Sequence, residues 1–410
     1  MKKTILLFAT AMLCSLSTMF AQSTLLSSEE FIKKAQPLAV LGEQKYNEKD
    51  YNASIKCYLD VIDLYQNLSE SDQKNLTGLM SNSVYYNLTC LYSLLNQKKN
   101  AMTYFEKSIA TGYKQYNHML QDTDLDNIRN NKRFQALMDS LREECDYIHL
   151  LKTRGTFAPN ATETADLPTF EYAKPDDRNL QLVKSYFNLD SIAGNGNEWS
   201  KVLNLLNFVH NNIPHNGGNY ATCEFDAIDI YNYNKYTGKG VNCRHLAITL
   251  NEMLLAMDFS SRYVTCMPYD VNDGDCHVIN SVWIDSLQKW VWIDPTFDAY
   301  VMDENGNLLG LEDVRNRLIN DQPLVLNENA NWNNQRKQTK EAYLDSYMAK
   351  NLFCLEVAVN SRFNAESQYR NTGTDYVTLR PVGYESNFQN RQRMKYNTND
   401  PTYFWQAPKK

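Results

Sequence analysis

Three residues between positions 240 and 300 have the side chains that thiol catalysis needs. Cys243 follows a Gly-containing turn and begins a helical pattern, His277 lies at the start of a predicted strand, and Asp294 ends another. A thiol in the first turn of a helix faces unsatisfied N–H groups and the positive end of the helix dipole, which lower its pKa. The pattern predicts Cys243 as nucleophile, His277 as base and later acid, and Asp294 as the group that orients His277.

Four predicted elements must position these residues. The helix from Cys243 to Met257 has an apolar stripe for the core. Strands are predicted at 262–268, 276–285 and 289–294, and a turn at Ser286–Gln288 makes the last two a hairpin. His277 and Asp294 then lie at the same end of that hairpin, and Pro295 favours an extended backbone at Asp294.

Other residues compete for these roles. Asp285 is an alternative orienting carboxylate, but it lies at the turn end of the hairpin. Cys276 is an alternative thiol without a helix dipole, and it could instead pair with Cys266 on the neighbouring strand. His245 is expected on another helix face than Cys243.

The oxyanion hole and the exclusion of water are less well defined by the sequence. The N–H of Cys243 is one candidate oxyanion donor, and a side chain of the turn Pro214–Gly217 is a second. His215 in that turn is more simply interpreted as a surface histidine after a helix-ending proline. Three tryptophans are expected to keep water from the site: Trp283, Trp290 and Trp292.

The segment from about Gln181 to Leu326 resembles the transglutaminase-like core, a papain-related α+β fold. The resemblance rests on Gly240-x-Asn-Cys243, Arg262-Tyr-Val264, His277 in a strand, and Trp292-Ile-Asp-Pro-Thr296. It implies the same roles for Cys243, His277 and Asp294. Val278 departs from the aromatic residue that often follows the histidine in this family.

The front of the chain is predicted to be helical. Two stretches share a spacing in which a small residue is followed twelve positions later by another small residue and then by an aromatic: Gly42, Ser54, Tyr58 and Thr89, Ala101, Phe105. This spacing resembles the tetratricopeptide repeat, for which we expect one of two roles: docking of a peptide or protein partner, or bracing of the neighbouring domain. The polar segment 67–78 is interpreted as a long loop between the repeats.

The first 21 residues have the layout of a secretory signal peptide. Lys2 and Lys3 precede a short apolar run, and Ala21 offers a cleavage position. Cleavage there changes the formal charge from −7 to −9. We therefore expect an exported protein, periplasmic or secreted, without a membrane span, because no later stretch is apolar enough to cross a bilayer.

The composition of the chain limits the classes of partner, metal and cofactor that can be expected. The acidic balance gives no phosphate-binding footprint, so nucleic acid is not expected as a partner. The nine cysteines include no CxxC or other metal-ligand spacing, and we predict no metal and no cofactor.

The fold class predicted from these patterns is α+β. After the signal peptide (1–21) come a helical repeat domain (22–150), a linker or lead-in strand (151–180), a transglutaminase-like core with an antiparallel sheet (181–330) and a strand-rich C-terminal extension (331–410). Two functions are compatible with this organisation. One is an exported thiol enzyme that cleaves or transfers the acyl group of peptide bonds, with hydrolysis favoured. The other is a non-catalytic scaffold that binds a partner at the helical repeats and carries an inactive core.

Overall fold

A computed structural model describes residues 25–159, 167–367, 374–384 and 395–409. The predicted signal peptide lies outside these residues. The chain forms two compact units, the first ending at Asp146 and the second beginning at Tyr147. Among the residues that the structure describes, no helix has both the length and the apolarity needed to cross a bilayer.

The first unit is helical, as predicted. Gly42 in its first helix packs on Tyr58 in the second, where a Cβ on Gly42 would lie 3.0 Å from the Tyr58 ring. A small residue at this position therefore lets the two helices approach closely. Its helices are α1 (Ser28–Asn47), α2 (Tyr51–Gln66), α3 (Glu70–Met80), α4 (Tyr86–Leu94), α5 (Lys98–Ala110), α6 (Tyr116–Gln121) and α7 (Lys132–Cys145).

The predicted loop at 67–78 is wrong, because α3 occupies most of it. The side chain of Ser69 caps this helix by accepting a hydrogen bond from the N–H of Asp72. Glu70 and Asp72 place negative charge in the first turn, where the helix dipole favours it. The polar composition of this segment is typical of a loop, but the capping residue Ser69 favours a helix there. A π-helical turn, Ser81–Tyr85, follows α3 and leads into α4.

The second unit is an α+β domain built on a six-stranded sheet. The strands lie in the order β12-β11-β9-β2-β3-β4, antiparallel except for the β11–β12 pair. The predicted C-terminal strands therefore extend the core sheet. The strands of this unit are β1 (Glu171–Tyr172), β2 (Ser261–Met267), β3 (His277–Ile284), β4 (Lys289–Ile293), β5 (Val301–Met302), β6 (Val325–Leu326), β7 (Asn331–Trp332), β8 (Arg336–Lys337), β9 (Cys354–Ala358), β10 (Asn360–Ser361), β11 (Tyr376–Leu379) and β12 (Tyr396–Thr398).

Helices cover both faces of this sheet. Alternate residues of a strand point to opposite faces, so Val278 and Val282 enter one core while Ile279 enters the other. The first core also contains most of α13, and the second contains Tyr343 and Leu344. The helices are α8 (Tyr147–Arg154), α9 (Arg178–Phe187), α10 (Leu189–Ala193), α11 (Glu198–Asn212), α12 (Ala227–Thr237), α13 (Cys243–Ala256), α14 (Leu311–Ile319), α15 (Ala349–Asn351) and α16 (Pro401–Phe404).

Arg262 on β2 ties the C-terminal residues to the sheet. Its guanidinium is fully buried, and its Nη2 donates a 2.9 Å hydrogen bond to the backbone oxygen of Phe404. Burial lowers the pKa of Arg262 below its usual value. Four aromatic rings surround this cation, with centroids 4.5–5.3 Å from its Cζ: Phe170, Trp290, Phe404 and Trp405. Cation–π attraction thus compensates in part for the burial of the charge.

Candidate active site

Cys243 is the first residue of α13, as the sequence predicts. Asn242 caps the helix, its Oδ1 accepting a hydrogen bond from the N–H of His245. Gly240, two residues before the cap, has φ +69°, and a Cβ there would lie 2.7 Å from the Pro214 oxygen. Glycine thus permits the tight approach of this turn to the Pro214–Gly217 turn. The position places the thiol at the positive end of a buried helix.

The thiol of Cys243 is acidic although it is half-buried. Burial raises its pKa, but hydrogen bonds with His215 and His277, the charge of His277 and the N–H of Val278 together lower the pKa to about 6. Each of these contacts stabilises the thiolate more than the thiol. Cys243 is therefore ionised at neutral pH.

His277 begins β3 and pairs with Asp294, which directly follows β4. The distance between Nε2 of His277 and Oδ2 of Asp294 is 2.7 Å, and both side chains are buried. Burial lowers the pKa of His277, but the charge and hydrogen bond of Asp294 and the contact with Cys243 raise it to about 10. Since Nε2 is engaged by Asp294, Nδ1 is the nitrogen that faces the thiol.

Asp294 remains ionised because several donors surround it. The hydroxyl of Tyr343 donates to Oδ2 at 2.6 Å, and the N–H of Thr296 donates to Oδ1 at 2.8 Å. Burial raises the pKa of Asp294, but His277, Tyr343 and Thr296 hold it below its usual value. Between about pH 6 and pH 10 the site accordingly holds a thiolate beside an imidazolium that is supported by a carboxylate.

His215 joins this group, which the surface interpretation of the sequence did not predict. Its Nδ1 accepts a 3.0 Å hydrogen bond from Nε1 of Trp332. The indole N–H is only a donor, so the ring proton of neutral His215 must lie on Nε2, the nitrogen left to face Cys243. The side chain of Asn333 holds the backbone of His215: it accepts a 2.7 Å hydrogen bond from the His215 N–H and donates a 2.9 Å hydrogen bond to the His215 carbonyl oxygen.

The alternatives considered from the sequence lie in other environments. Asp285 accepts from Nε1 of Trp283 at the turn end of the hairpin. Burial raises the pKa of Cys276, and it raises the pKa of Cys266 still more. Both thiols are free, so the disulfide suggested between them is absent. Burial, together with Arg244, lowers the pKa of His245 to about 4.

The residues that enclose the imidazole differ from the predicted tryptophans. Phe297 and Tyr347 lie beside His277, with ring centroids 5.6 and 5.2 Å away. Trp292 contributes to the site only through Tyr343, because its Nε1 donates a 3.2 Å hydrogen bond to the Tyr343 hydroxyl. Trp283 packs edge-on against Trp290 instead. Tyr343 and Tyr347 lie one turn apart in a π-helical segment, Glu341–Met348.

One group of potential metal ligands occurs among the described residues, in the helical unit: the ligand atoms of Cys90, Asp122 and Asp124 lie within 4.8 Å of one another. Their carboxylates already accept hydrogen bonds from the hydroxyls of Tyr86 and Tyr46. These phenols explain how the acidic groups are tolerated without further ligands.

Comparisons with known proteins give one family match and a similar solved structure. No curated protein matches the chain. Among solved structures, one similar chain is a Cytophaga hutchinsonii protein that carries the provisional name of a cysteine protease. The similarity has 21% identity and a TM-score of 0.23, and it covers 38% of this chain and 50% of that one, so the chain spans about half the length of this neighbour. Residues 187–295, which include Cys243, His277 and Asp294, match the profile of the transglutaminase-like superfamily, and the chain therefore contains a transglutaminase-like domain.

Proposed function

We propose that this protein is a thiol enzyme that acts on peptide bonds through an acyl-enzyme on Cys243. The observation that carries the proposal is a half-buried thiol whose pKa is lowered to about 6 by two imidazoles, one of them paired with a buried carboxylate. Structural thiols in apolar surroundings show the opposite shift, as Cys266 does. A thiolate held in this way is a nucleophile at neutral pH.

In the proposed first step, Sγ of Cys243 attacks the peptide carbonyl carbon and forms the C–S bond. The carbonyl oxygen becomes an oxyanion, which the N–H of Cys243 and the Nε2–H of His215 are placed to receive. The N–H groups at a helix start have no partner within the helix, and Trp332 keeps the proton of His215 on Nε2. The tetrahedral intermediate collapses as Nδ1 of His277 gives its proton to the leaving amine.

In the second step, water attacks the thioester. His277, now neutral, removes a proton from that water, and Cys243 leaves as the thiolate, which restores the starting pair. Asp294 keeps the imidazole oriented through both steps and stabilises its charged form. Lys239 and Arg336 are exposed and line an open pocket that His215 also lines, so we expect water to enter and hydrolysis to be favoured over transfer to an amine.

Iodoacetamide labelling across pH, read by mass spectrometry, tests the nucleophile. We expect labelling of Cys243 to rise with an inflection near pH 6 and to exceed that of Cys266 and Cys276 at pH 7. An excess of short peptides should trap an acyl adduct on Cys243 that Cys243→Ala abolishes and Cys276→Ala retains. Equal labelling of all three thiols would contradict an activated nucleophile.

Export is part of the proposal and needs its own measurement. If residues 1–21 are a signal peptide, the mature protein recovered from the producing cell begins at Gln22 and lies outside the cytoplasm. A full-length protein in the cytoplasmic fraction would contradict export without affecting the chemistry. If Cys243→Ala left every cellular effect of the protein unchanged, the helical unit would be its working part, and the function would be that of a scaffold.

A further inference from the structure

A pocket of about 530 Å³ is lined by His215 and Phe297, two residues of the candidate site. Two of its lining residues also contact the catalytic pair: His215 hydrogen-bonds to Cys243, and Phe297 lies beside His277. A substrate chain whose carbonyl group reaches Sγ therefore places a neighbouring residue in this pocket. An open, partly aromatic recess at this position is suited to the recognition of one side chain or chain end.

The charges that line the pocket are of one sign. Lys239 and Arg336 contribute cations, and its lining includes no Asp or Glu. Within the described part of the chain, neither cation forms an ion pair with a carboxylate, whereas other cations of the second unit, such as Lys350 and Arg317, do so. Two unneutralised cations are notable in a protein whose formal charge is −7. The pocket thus offers complementary charge to an anionic group.

The walls that hold these cations are fixed before any ligand arrives. Arg336 lies on β8, which pairs with β7, and its guanidinium lies 5.6 Å from the ring of Trp332. Trp332 and Asn333 of this hairpin are hydrogen-bonded to His215. On the other side, the side chain of Asn216 donates to the backbone oxygen of Lys239 at 2.9 Å. A preformed site loses less entropy on binding than a flexible one.

We infer that this pocket selects peptide substrates that carry a carboxylate next to the reacting bond. Arg336 offers a planar fork of donors that matches a carboxylate, and Lys239 adds a point charge. Phe297 and Trp332 pack against the aliphatic part of the bound residue. The inference rests on the proposed function, because it assigns a substrate class to that active site. The carboxylate can belong to an acidic side chain or to the chain terminus, and the chemistry of recognition is the same.

The charge of the pocket can be measured without a substrate. Iodoacetate and iodoacetamide alkylate the same thiol but differ by one negative charge. We expect the ratio of their rates at Cys243 to fall about three- to tenfold in Arg336→Gln and in Lys239→Gln, since each removes a cation near the approaching carboxylate. Lys337→Gln and Lys235→Gln are matched controls, because these lysines neighbour the tested residues in sequence and do not line the pocket. A ratio that is unchanged in both pocket variants would overturn the inference.

Peptide pairs test the substrate class and separate its two sources. A set of short acetylated peptides has Glu or Gln at each position in turn, and each is made with a free C-terminal carboxylate or as the amide. We expect acyl-enzyme formation to be about tenfold faster or more with the carboxylate form at one position, and this advantage to disappear in Arg336→Gln. Preference for Glu over Gln identifies a side-chain carboxylate, and preference for acid over amide identifies the chain terminus.

The outcomes are distinct. Acylation that is equally fast for charged and neutral peptides would overturn the pocket assignment and leave the proposed function intact. Failure of every peptide to acylate the wild-type thiol would overturn the proposed function, and the pocket assignment with it.

Discussion

The indole of Trp332 donates its only N–H to Nδ1 of His215, at 3.0 Å. His215 in turn hydrogen-bonds to the thiol of Cys243, so Trp332 decides which nitrogen of His215 carries the proton near the reacting sulfur. Trp332 itself does not reach the reaction. It acts as a positioning residue for a proposed oxyanion donor.

Trp332→Phe removes this N–H and keeps most of the aromatic bulk. We expect acylation of Cys243 by p-nitrophenyl acetate to slow about tenfold, less than the ~10²-fold expected for loss of a direct oxyanion donor in His215→Ala. Alkylation by iodoacetamide forms no oxyanion, so its rate should change far less. Trp283→Phe is the control, because its Nε1 donates to Asp285 at the far end of the hairpin. If acylation and alkylation slowed to the same extent in Trp332→Phe, Trp332 would support only the thiolate and not the oxyanion donor.

Asp294→Asn removes the charge that supports the imidazolium. The pKa of His277 should fall from about 10, and the pKa of Cys243 should rise from about 6 because its cationic partner is weakened. The thiolate then forms only at higher pH, so the acid limb of the alkylation profile should move upward by about one pH unit or more. Alkylation of Cys243 measured from pH 4 to 10 gives this limb. Asp285→Asn is the matched control and should leave the profile unchanged; a shift in both variants would contradict the assignment of Asp294.

Gly240 and Gly238 offer a paired test of the turn before the nucleophile. Both have positive φ, +69° and +63°, so alanine strains the backbone at either position. A Cβ at Gly240 also meets the Pro214 oxygen at 2.7 Å, whereas a Cβ at Gly238 has no atom within 4 Å. We expect Gly238→Ala to lower the free energy of unfolding by about 1 kcal/mol and Gly240→Ala by about 3 kcal/mol. Urea unfolding measures both; equal losses would show that the close approach is not constraining.

Gly240→Ala should also displace the turn that holds His215. We therefore expect slower acylation of Cys243 in this variant under conditions where it remains folded. Gly238→Ala should retain the wild-type rate.

Arg262→Lys tests the aromatic cage that fixes the C-terminal residues. Lysine loses the planar guanidinium that contacts four rings and the backbone oxygen of Phe404. We expect the free energy of unfolding to fall by about 2–4 kcal/mol. All six tryptophans belong to the second unit, so their fluorescence reports its unfolding in urea. Arg178→Lys, at an exposed arginine that begins α9, should change the free energy by less than about 0.5 kcal/mol.

The sequence predicts the parts of the site that are close together along the chain. The helix at Cys243, the strands of the hairpin and the shared end of His277 and Asp294 follow from apolar patterns, a turn and a proline, and the structure brings these residues together. Their catalytic roles stay predictions. The α+β class and the helical front are confirmed.

The remaining contacts of the site come from distant segments. Tyr343 lies 49 residues beyond Asp294, and Trp332 lies 117 residues beyond His215. No local pattern distinguishes these aromatic residues from the many others in the chain, because only the packing of the fold brings them together. The local sequence predicts a surface residue at His215 for the same reason. The helix α3 is not predicted, because its capping residue Ser69 lies in a polar stretch whose composition is typical of a loop.

The short hairpin of β7 and β8 lies outside the segment that matches the superfamily profile. Yet it carries Trp332, which sets the proton of His215, and Arg336, which charges the pocket. On the proposed function, we therefore expect that changes in a seven-residue segment, 331–337, alter reactivity and substrate choice without any change to Cys243, His277 or Asp294. We expect an exchange of this segment between related chains to transfer substrate preference as a module, while the nucleophile and its helix stay as they are.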